Sequence, residues 1–134
     1  LEAEFKKILK NLPALQNKKT GHWYQLPIFP GDPLNFQESS CTAMFSYAIT
    51  MGLEMKILNE KIYRPLIDRS YMGLQQYSLS KMEGPYLIPS QVCGGTCIGD
   101  KNYYFNRKKT MGTGFGLGSF IMSGLAYNKL NDIQ

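Results

Sequence analysis

Apolar residues recur three and four positions apart in four stretches of the chain, and this spacing predicts four amphipathic helices. Side chains at this spacing lie on the same face of a helix, so each stretch can cover one side of a core. The helices predicted at 38–51 and 63–79 are expected to form an αα-hairpin. The four stripes are Phe5, Ile8, Leu9 and Leu12; Cys41, Met44, Phe45, Ala48 and Ile49; Tyr63, Leu66, Ile67, Tyr71 and Leu74; and Phe115, Phe120, Ile121 and Leu125.

Proline and glycine predict where these helices end. Pro13 is expected to stop the first helix, and Gly52 is expected to end the second. Pro65 fits the third helix only if it lies in the first turn, where its missing N–H costs no hydrogen bond. Glu38, just before the second helix, carries a charge that the helix dipole favours at that end.

Two long segments are not expected to be helical. Residues 20–33 contain three prolines and two glycines around a short β-like piece at 23–26. Residues 83–93 and 102–107 each suit a short strand, and the glycine-rich loop between them is expected to join them as a β-hairpin. The sequence therefore predicts an all-α single domain over residues 1–134, with a short β-hairpin in a long loop.

The composition is that of a packed globule with a basic surface. Hydrophobic residues make up 43% of the 134 residues, and the formal net charge is +5. The cations concentrate in residues 1–20 and 100–109, and such a surplus attracts anions in general. No apolar run approaches the ~18 residues that cross a bilayer, and the helices show no continuous basic face. Neither a membrane nor a nucleic acid is predicted as a partner, and a bacterial cytoplasm and periplasm both stay open.

Three cysteines and one histidine, His22, formally supply the Cys₃His set of a zinc site. Cys41, however, lies on the apolar stripe of the second helix, and only Cys93 and Cys97 are close in sequence. The odd, low cysteine count also argues against a disulfide framework, although a single Cys93–Cys97 bridge stays open. No metal cofactor is therefore predicted.

A nucleotide site and a nucleophilic site are each matched only in part. Gly94 and Gly99 have the spacing of a phosphate-binding loop, but Asp100 stands where that loop needs lysine and would repel phosphate. A cysteine–histidine pair requires one of the loop cysteines to meet His22, and no pattern in the sequence brings them together. Neither site is predicted.

The segment SQVCGGTCIGDKNYYFNRK, residues 90–108, has the composition of a carbohydrate-binding loop. Sugars are held by aromatic faces, by amide and hydroxyl hydrogen bonds and, where they carry carboxylates, by cations. Glycines let backbone amides approach a ligand closely. A glycine-bearing hairpin without a ligand would have the same spacing, so both interpretations stay open at this point. The predicted substrate-binding residues are Trp23 in the first long loop and Gly94, Gly95, Thr96, Tyr103 and Arg107 in the second.

A series of motifs, taken in order, covers most of the chain. They are GHWYQL at 21–26 with FQESSCTAMFSYAITMG at 36–52; Tyr63, Tyr71, Gly73 and Leu74; VCGGTCIG at 92–99; YYFNR at 103–107; and GFGLGSFIMSGLAY at 114–127. In order and spacing they resemble the C-terminal end of the unsaturated glucuronyl and rhamnogalacturonyl hydrolases, which are glycoside hydrolase families 88 and 105.

The resemblance implies an (α/α)₆ barrel, in which six helical hairpins surround a central cavity, with this chain as its C-terminal third. It also implies a substrate, the 4,5-unsaturated uronic acid that a polysaccharide lyase leaves at the end of an oligosaccharide. In that family an aspartate protonates the C4=C5 vinyl ether, water adds at C5, and the hemiketal collapses to release the sugar. No metal or organic cofactor is implied.

The catalytic aspartate of that family lies in an earlier part of the fold that has no match in this sequence. No carboxylate here is therefore assigned as the acid, and the chain is expected to act on an acidic oligosaccharide only with the rest of the barrel. It is also expected to self-associate, or to bind that remainder, through unpaired apolar faces. The alternative is a non-catalytic carbohydrate-binding or interaction module derived from such an enzyme.

Overall fold

The computed structural model describes residues 1–82 and 84–132. These residues form six helices and three antiparallel pairs of short strands, and none of these helices is long and apolar enough to cross a membrane. The helices are α1 (Glu2–Leu9), α2 (Leu12–Leu15), α3 (Ser39–Glu54), α4 (Glu60–Tyr77), α5 (Lys101–Phe105) and α6 (Gly114–Leu130). The strands pair as β1 (Trp23–Tyr24) with β2 (Gln37–Glu38), β3 (Leu79–Lys81) with β4 (Leu87–Pro89), and β5 (Val92–Cys93) with β6 (Lys109–Thr110).

Side-chain caps fix the start of three helices. The first N–H groups of a helix have no partner inside it, and a side-chain oxygen of the preceding residue can accept from them. Glu38 caps α3, Asn59 caps α4 and Asp100 caps α5. The Asn59 side chain, for example, accepts from the amide of Lys61 at 3.0 Å. The acidic residue before α3 therefore lies at the helix start, as predicted.

Helices α3 and α4 form the predicted αα-hairpin, and residues 55–59 connect them. Helix α3 packs against both α4 and α6, so it is the central helix of the fold. Removing apolar side chains from water on the facing sides of these helices stabilises the fold. The main core cluster consists of Leu9, Leu12, Trp23, Ile49, Leu53, Leu66 and Ile67.

Two predicted helix ends are wrong. Helix α1 already ends at Leu9, and Pro13 lies in the first turn of α2, where proline is tolerated. Helix α3 continues through Gly52 to Glu54. A Cβ atom at Gly52 would lie 2.6 Å from the side chain of Leu58, so this glycine permits close packing and does not end the helix.

The position expected for Pro65 is also wrong. This residue lies inside α4, beyond the first turn of a helix that begins at Glu60. Proline has no N–H for the helical hydrogen bond and is unfavourable there on propensity alone. The next two residues, Leu66 and Ile67, are buried in the core, and tertiary burial of this kind commonly overrides propensity.

The segment predicted as a strand at 102–107 is mostly helical. The Asp100 side chain accepts from the amide of Tyr103 at 2.8 Å and starts the short helix α5. The end of the first predicted strand, β5, does form an antiparallel pair, but its partner is β6, which follows α5 and lies outside the segment predicted as the second strand. Glu83, the first residue of the other predicted strand, lies outside the described residues.

Helix α6 faces the core with the side opposite to its predicted stripe. Phe115, Ile121 and Leu125 are 54%, 52% and 65% exposed. The buried residues are small, and a Cβ atom at Gly116 would lie 2.9 Å from the side chain of Val92. Small side chains let α6 lie close to its neighbours, whereas its large apolar side chains form an open surface. The buried positions of α6 are Gly116, Ser119, Ser123 and Ala126.

His22 is buried and connects the first long loop to the end of α4. Its Nδ1 lies 2.8 Å from the carbonyl oxygen of Thr20, and its Nε2 lies 2.6 Å from the hydroxyl oxygen of Ser78. A carbonyl oxygen can only accept, so Nδ1 carries the proton and donates it, and Nε2 of the neutral ring accepts from the hydroxyl. Burial lowers the pKa of His22 below 6.5, because the charged ring would lose its hydration.

The free energy of unfolding is expected to fall as the pH decreases from about 7 to about 5. In this range the unfolded chain protonates His22, whereas the folded chain keeps the ring neutral because its pKa is lowered. The unfolded state then binds more protons, so acid favours unfolding. Urea denaturation across this range should show a steeper loss for the native chain than for His22→Gln. Equal slopes for the two proteins would contradict the prediction.

Candidate functional site

The loop at 94–100 connects β5 to α5 and is fixed at its base by three backbone contacts. Val92 pairs with Thr110 and Cys93 pairs with Lys109 in the β5–β6 ladder. The amide of Gly94 extends this pairing by donating to the carbonyl oxygen of residue 108 at 2.8 Å. The first residues of the loop are therefore held in place by the backbone pairing of β5 with β6.

Tyr103 and Arg107 hold the tip of this loop. The Tyr103 hydroxyl oxygen accepts from the amide of Cys97 at 2.9 Å. The Arg107 guanidinium donates to the carbonyl oxygen of Gly95 and lies 5.0 Å from the centroid of the Tyr103 ring. Five of the six predicted substrate-binding residues are thus brought together. They are Gly94, Gly95, Thr96, Tyr103 and Arg107.

The tip of the loop is open to solvent. Gly95, Thr96 and Cys97 are exposed, and a Cβ atom built on Gly95 would have no heavy atom within 4 Å. Ile98 is fully exposed, at 101%. The half-buried side chains of Tyr103 and Arg107 and exposed backbone polar groups surround this glycine-rich turn, and these are the kinds of group that sugar recognition needs.

Trp23 does not belong to this surface, so its prediction as a residue that contacts the sugar is not compatible with the structure. Its side chain is fully buried in the core. The indole N–H donates to the carbonyl oxygen of Leu12 at 2.9 Å, and the ring packs edge-to-face on Phe45 at 5.4 Å between centroids. Its neighbour Tyr24 is half-buried, and the Tyr24 hydroxyl is 3.3 Å from the side-chain amide of Asn17.

The first long loop reaches the second through Lys101, a contact that sequence reasoning missed. The Lys101 ammonium lies 2.8 Å from a carboxylate oxygen of Asp32. It also lies 4.6 Å and 5.0 Å from the ring centroids of Phe29 and Phe105, which pack edge-to-face on each other. No local sequence pattern predicts this contact, because it joins two segments that are far apart in sequence.

Glu38 connects the loop to the start of α3, a second role that sequence reasoning missed. Its side chain is 2% exposed. One carboxylate oxygen accepts from the amide of Cys93 at 2.8 Å and from the hydroxyl of Ser40 at 2.7 Å. The other accepts from the amide of Cys41. The charge before the helix was readable from sequence, but the contact with β5 was not.

The three cysteines are free thiols in different environments. Burial, reinforced by the negative charge of Glu38, raises the pKa of Cys41 well above its usual value and also raises that of Cys93. Raised pKa values disfavour the reactive thiolate, so neither thiol is activated as a nucleophile. Cys97 is exposed. Within residues 1–82 and 84–132, no group of three or more potential metal ligands comes together.

A comparison with protein-family models matches Glycosyl Hydrolase Family 88 over residues 1–131. The fold is similar to a family 105 glycoside hydrolase from C. acetobutylicum, with a TM-score of 0.81 and 22% identity over 96% of this chain and 38% of that one. It is also similar to possible family 105 members from Klebsiella pneumoniae (TM-score 0.76, 23% identity) and Salmonella enterica (0.77, 21%). Each of these two matches covers 94% of this chain and 30% of the other. This chain therefore spans about a third of the length of the solved structures it matches.

Proposed function

We propose that this chain, which belongs to glycosyl hydrolase family 88, is part of a glycoside hydrolase that removes a 4,5-unsaturated uronic acid from lyase-generated oligosaccharides. The observation that carries the proposal is the exposed 94–97 loop, which Tyr103 and Arg107 hold in place. The cationic guanidinium suits a ligand that bears a carboxylate. The loop would contribute contacts to an acidic oligosaccharide in this role.

The reaction itself needs a general acid that protonates the vinyl ether and a water molecule that adds to C5. Three carboxylates near the two long loops are already engaged in structural contacts. Glu38 is buried and accepts several hydrogen bonds, Asp32 is paired with Lys101, and Asp100 caps α5. These contacts support placing the acid in a part of the enzyme outside this sequence.

The exposed apolar surfaces support the further proposal that the chain is a section of an (α/α)₆ barrel. Besides the open side of α6, a groove of about 670 Å³ lies between α1 and α3, lined by Phe5, Ile8 and Met51 among others. In a complete barrel, neighbouring helical hairpins would cover such surfaces. A self-contained carbohydrate-binding module, the alternative, would be expected to close its core without them.

Binding of an unsaturated uronic-acid disaccharide should shift the NMR signals of the backbone amides at 94–97. We expect a dissociation constant in the millimolar range, or about −4 kcal/mol, because the rest of the cavity is missing. Replacing Arg107 with glutamine should weaken the binding, whereas the same change at the exposed Lys108 should not. A neutral saturated disaccharide is the ligand control.

The isolated chain is also expected to leave the absorbance of the unsaturated sugar unchanged, because it lacks the acid. Consumption of the chromophore by the isolated chain would show that the acid lies within this sequence. Absence of any shift at 94–97 at ligand concentrations well above the millimolar range would count against the sugar-binding role of the loop.

A further inference from the structure

We propose that Glu38 is a positioning residue that sets the orientation of the 94–97 loop for its ligand. The inference rests on the proposed sugar-binding function of that loop. Glu38 makes no contact with the exposed tip itself, since its side chain is 2% exposed. It acts through Cys93, the last strand residue before the glycines.

The Glu38 carboxylate joins two elements that are 55 residues apart in sequence. Oε1 accepts from the amide of Cys93 at 2.8 Å and from the amide and hydroxyl of Ser40 at 3.2 and 2.7 Å. Oε2 accepts from the amide of Cys41. Hydrogen bonds to an ionised acceptor are stronger than neutral ones, and in a buried site they are not weakened by competition with water. One side chain thus fixes both the start of α3 and the end of β5.

A neighbouring contact strengthens the same junction. The amide of Ser39 donates to the carbonyl oxygen of Gln91 at 3.2 Å, and the Ser39 hydroxyl donates to that of Ser90. The chain must enter β5 at this point with Gln91 in the left-handed region, at φ +56°. A non-glycine residue adopts this conformation only when its surroundings hold it there.

Only a carboxylate satisfies all of these donors. Glutamine has the same shape, but it offers one acceptor oxygen and one NH₂ group. If that oxygen faces Cys41, the NH₂ group meets the N–H of Cys93, and if it faces Cys93, the NH₂ group meets the N–H of Cys41. In either orientation two donors face each other, so the amide cannot hold both elements as the carboxylate does. Because β2 is paired with β1, with Glu38 opposite Trp23, the backbone has little freedom to compensate. Loss of the hydrogen bond to Cys93 would leave the loop less restrained at its first residue, Gly94.

The test compares Glu38→Gln with Glu54→Gln, which makes the same change at another glutamate that does not contact the loop. Glu54 lies at the far end of α3 and pairs with Lys129 at 3.1 Å. We expect Glu38→Gln to weaken binding of the unsaturated disaccharide by at least about tenfold, which corresponds to about 1.4 kcal/mol. Glu54→Gln should bind like the native chain. Circular dichroism of both variants checks that they are folded.

Amide hydrogen exchange separates this inference from the proposed function. In the native chain the Cys93 amide should exchange slowly and the Thr96 amide rapidly, and Glu38→Gln should reduce the protection at Cys93, because a neutral amide is a weaker acceptor than a carboxylate. This measurement needs no ligand, and its native-chain part holds even if the variant fails to fold. Rapid exchange at Cys93 in the native chain would overturn the positioning role, as would a folded Glu38→Gln variant with native affinity. If the native chain binds no disaccharide but its Cys93 amide exchanges slowly, the proposed sugar-binding function of the loop is contradicted. The role of Glu38 toward a ligand is then contradicted as well, although its contact with Cys93 is not.

Discussion

Replacement of Gly73 with alanine is expected to lower the free energy of unfolding by about 3 kcal/mol or more, the upper end of the cost of overpacking. The added Cβ atom would lie 1.8 Å from the carbonyl oxygen of Thr20 and 3.3 Å from the ring of His22. The clashing atom belongs to the backbone, which cannot change its position by a rotamer change as a flexible side chain can. Urea denaturation followed by circular dichroism measures the loss.

The matched control is Gly124→Ala, a change of the same kind in the interior of another helix. A Cβ atom at Gly124 would meet no heavy atom within 4 Å. Alanine is the better helix former, so this variant should be as stable as the native chain or more stable by up to about 1 kcal/mol. Similar destabilisation of both variants would mean that the crossing at Gly73 is less tight than the structure indicates.

The cost at Gly73 is high because the crossing is tight from both sides. Gly21, in the loop that crosses α4, has φ +74°, and a Cβ atom there would lie 2.1 Å from the carbonyl oxygen of Arg69. Gln16 connects the loop to α4, because its side-chain amide donates to the carbonyl oxygens of Gly21 in the loop and Leu66 in the helix at 3.0 and 2.9 Å. The crossing leads directly into β1, whose partner strand carries Glu38, so it also supports the loop that is the candidate site.

Helix α4 shows what the sequence could reveal. Its apolar residues recur at helical spacing, so its buried face could be predicted locally, whereas its start was predicted at residue 63 and lies at Glu60. The resemblance of the motifs also identified the family, and the family-model match over residues 1–131 confirms it. The buried face was predictable because it depends on residues a few positions apart, and the family was recognisable because its motifs keep their order along the chain.

Trp23 and α6 show why the rest was not predictable. A tryptophan beside a tyrosine in a proline-rich loop suits sugar contact, but only the arrangement of α2 and α3 reveals that Trp23 is buried. In α6 the apolar stripe was interpreted as the core-facing side. The two helices lie close together, so α6 packs on α3 through the side that carries small residues such as Ser119 and Ser123. Both outcomes depend on contacts between elements that are far apart in sequence.

The inverted packing of α6 also explains why the isolated chain should be more than a monomer. We expect it to self-associate in a concentration-dependent way, because large apolar side chains remain in water on α6 and in the groove between α1 and α3. Sedimentation velocity measures this association. The double variant Ile121→Glu/Leu125→Glu should weaken it by about a hundredfold, since losing the burial of two such side chains costs about 3 kcal/mol or more.

The control for this prediction is Met72→Glu, which places the same charge on an apolar side chain of α4 that is 66% exposed. Because Ile121 and Leu125 are themselves exposed, neither the double variant nor the control should lose its fold. Only the double variant should lose the association, if α6 presents the surface that the remaining hairpins of the barrel would cover. A native chain that stays monomeric at high concentration would instead favour the non-catalytic module, because its apolar surface would then be stable in water without a partner.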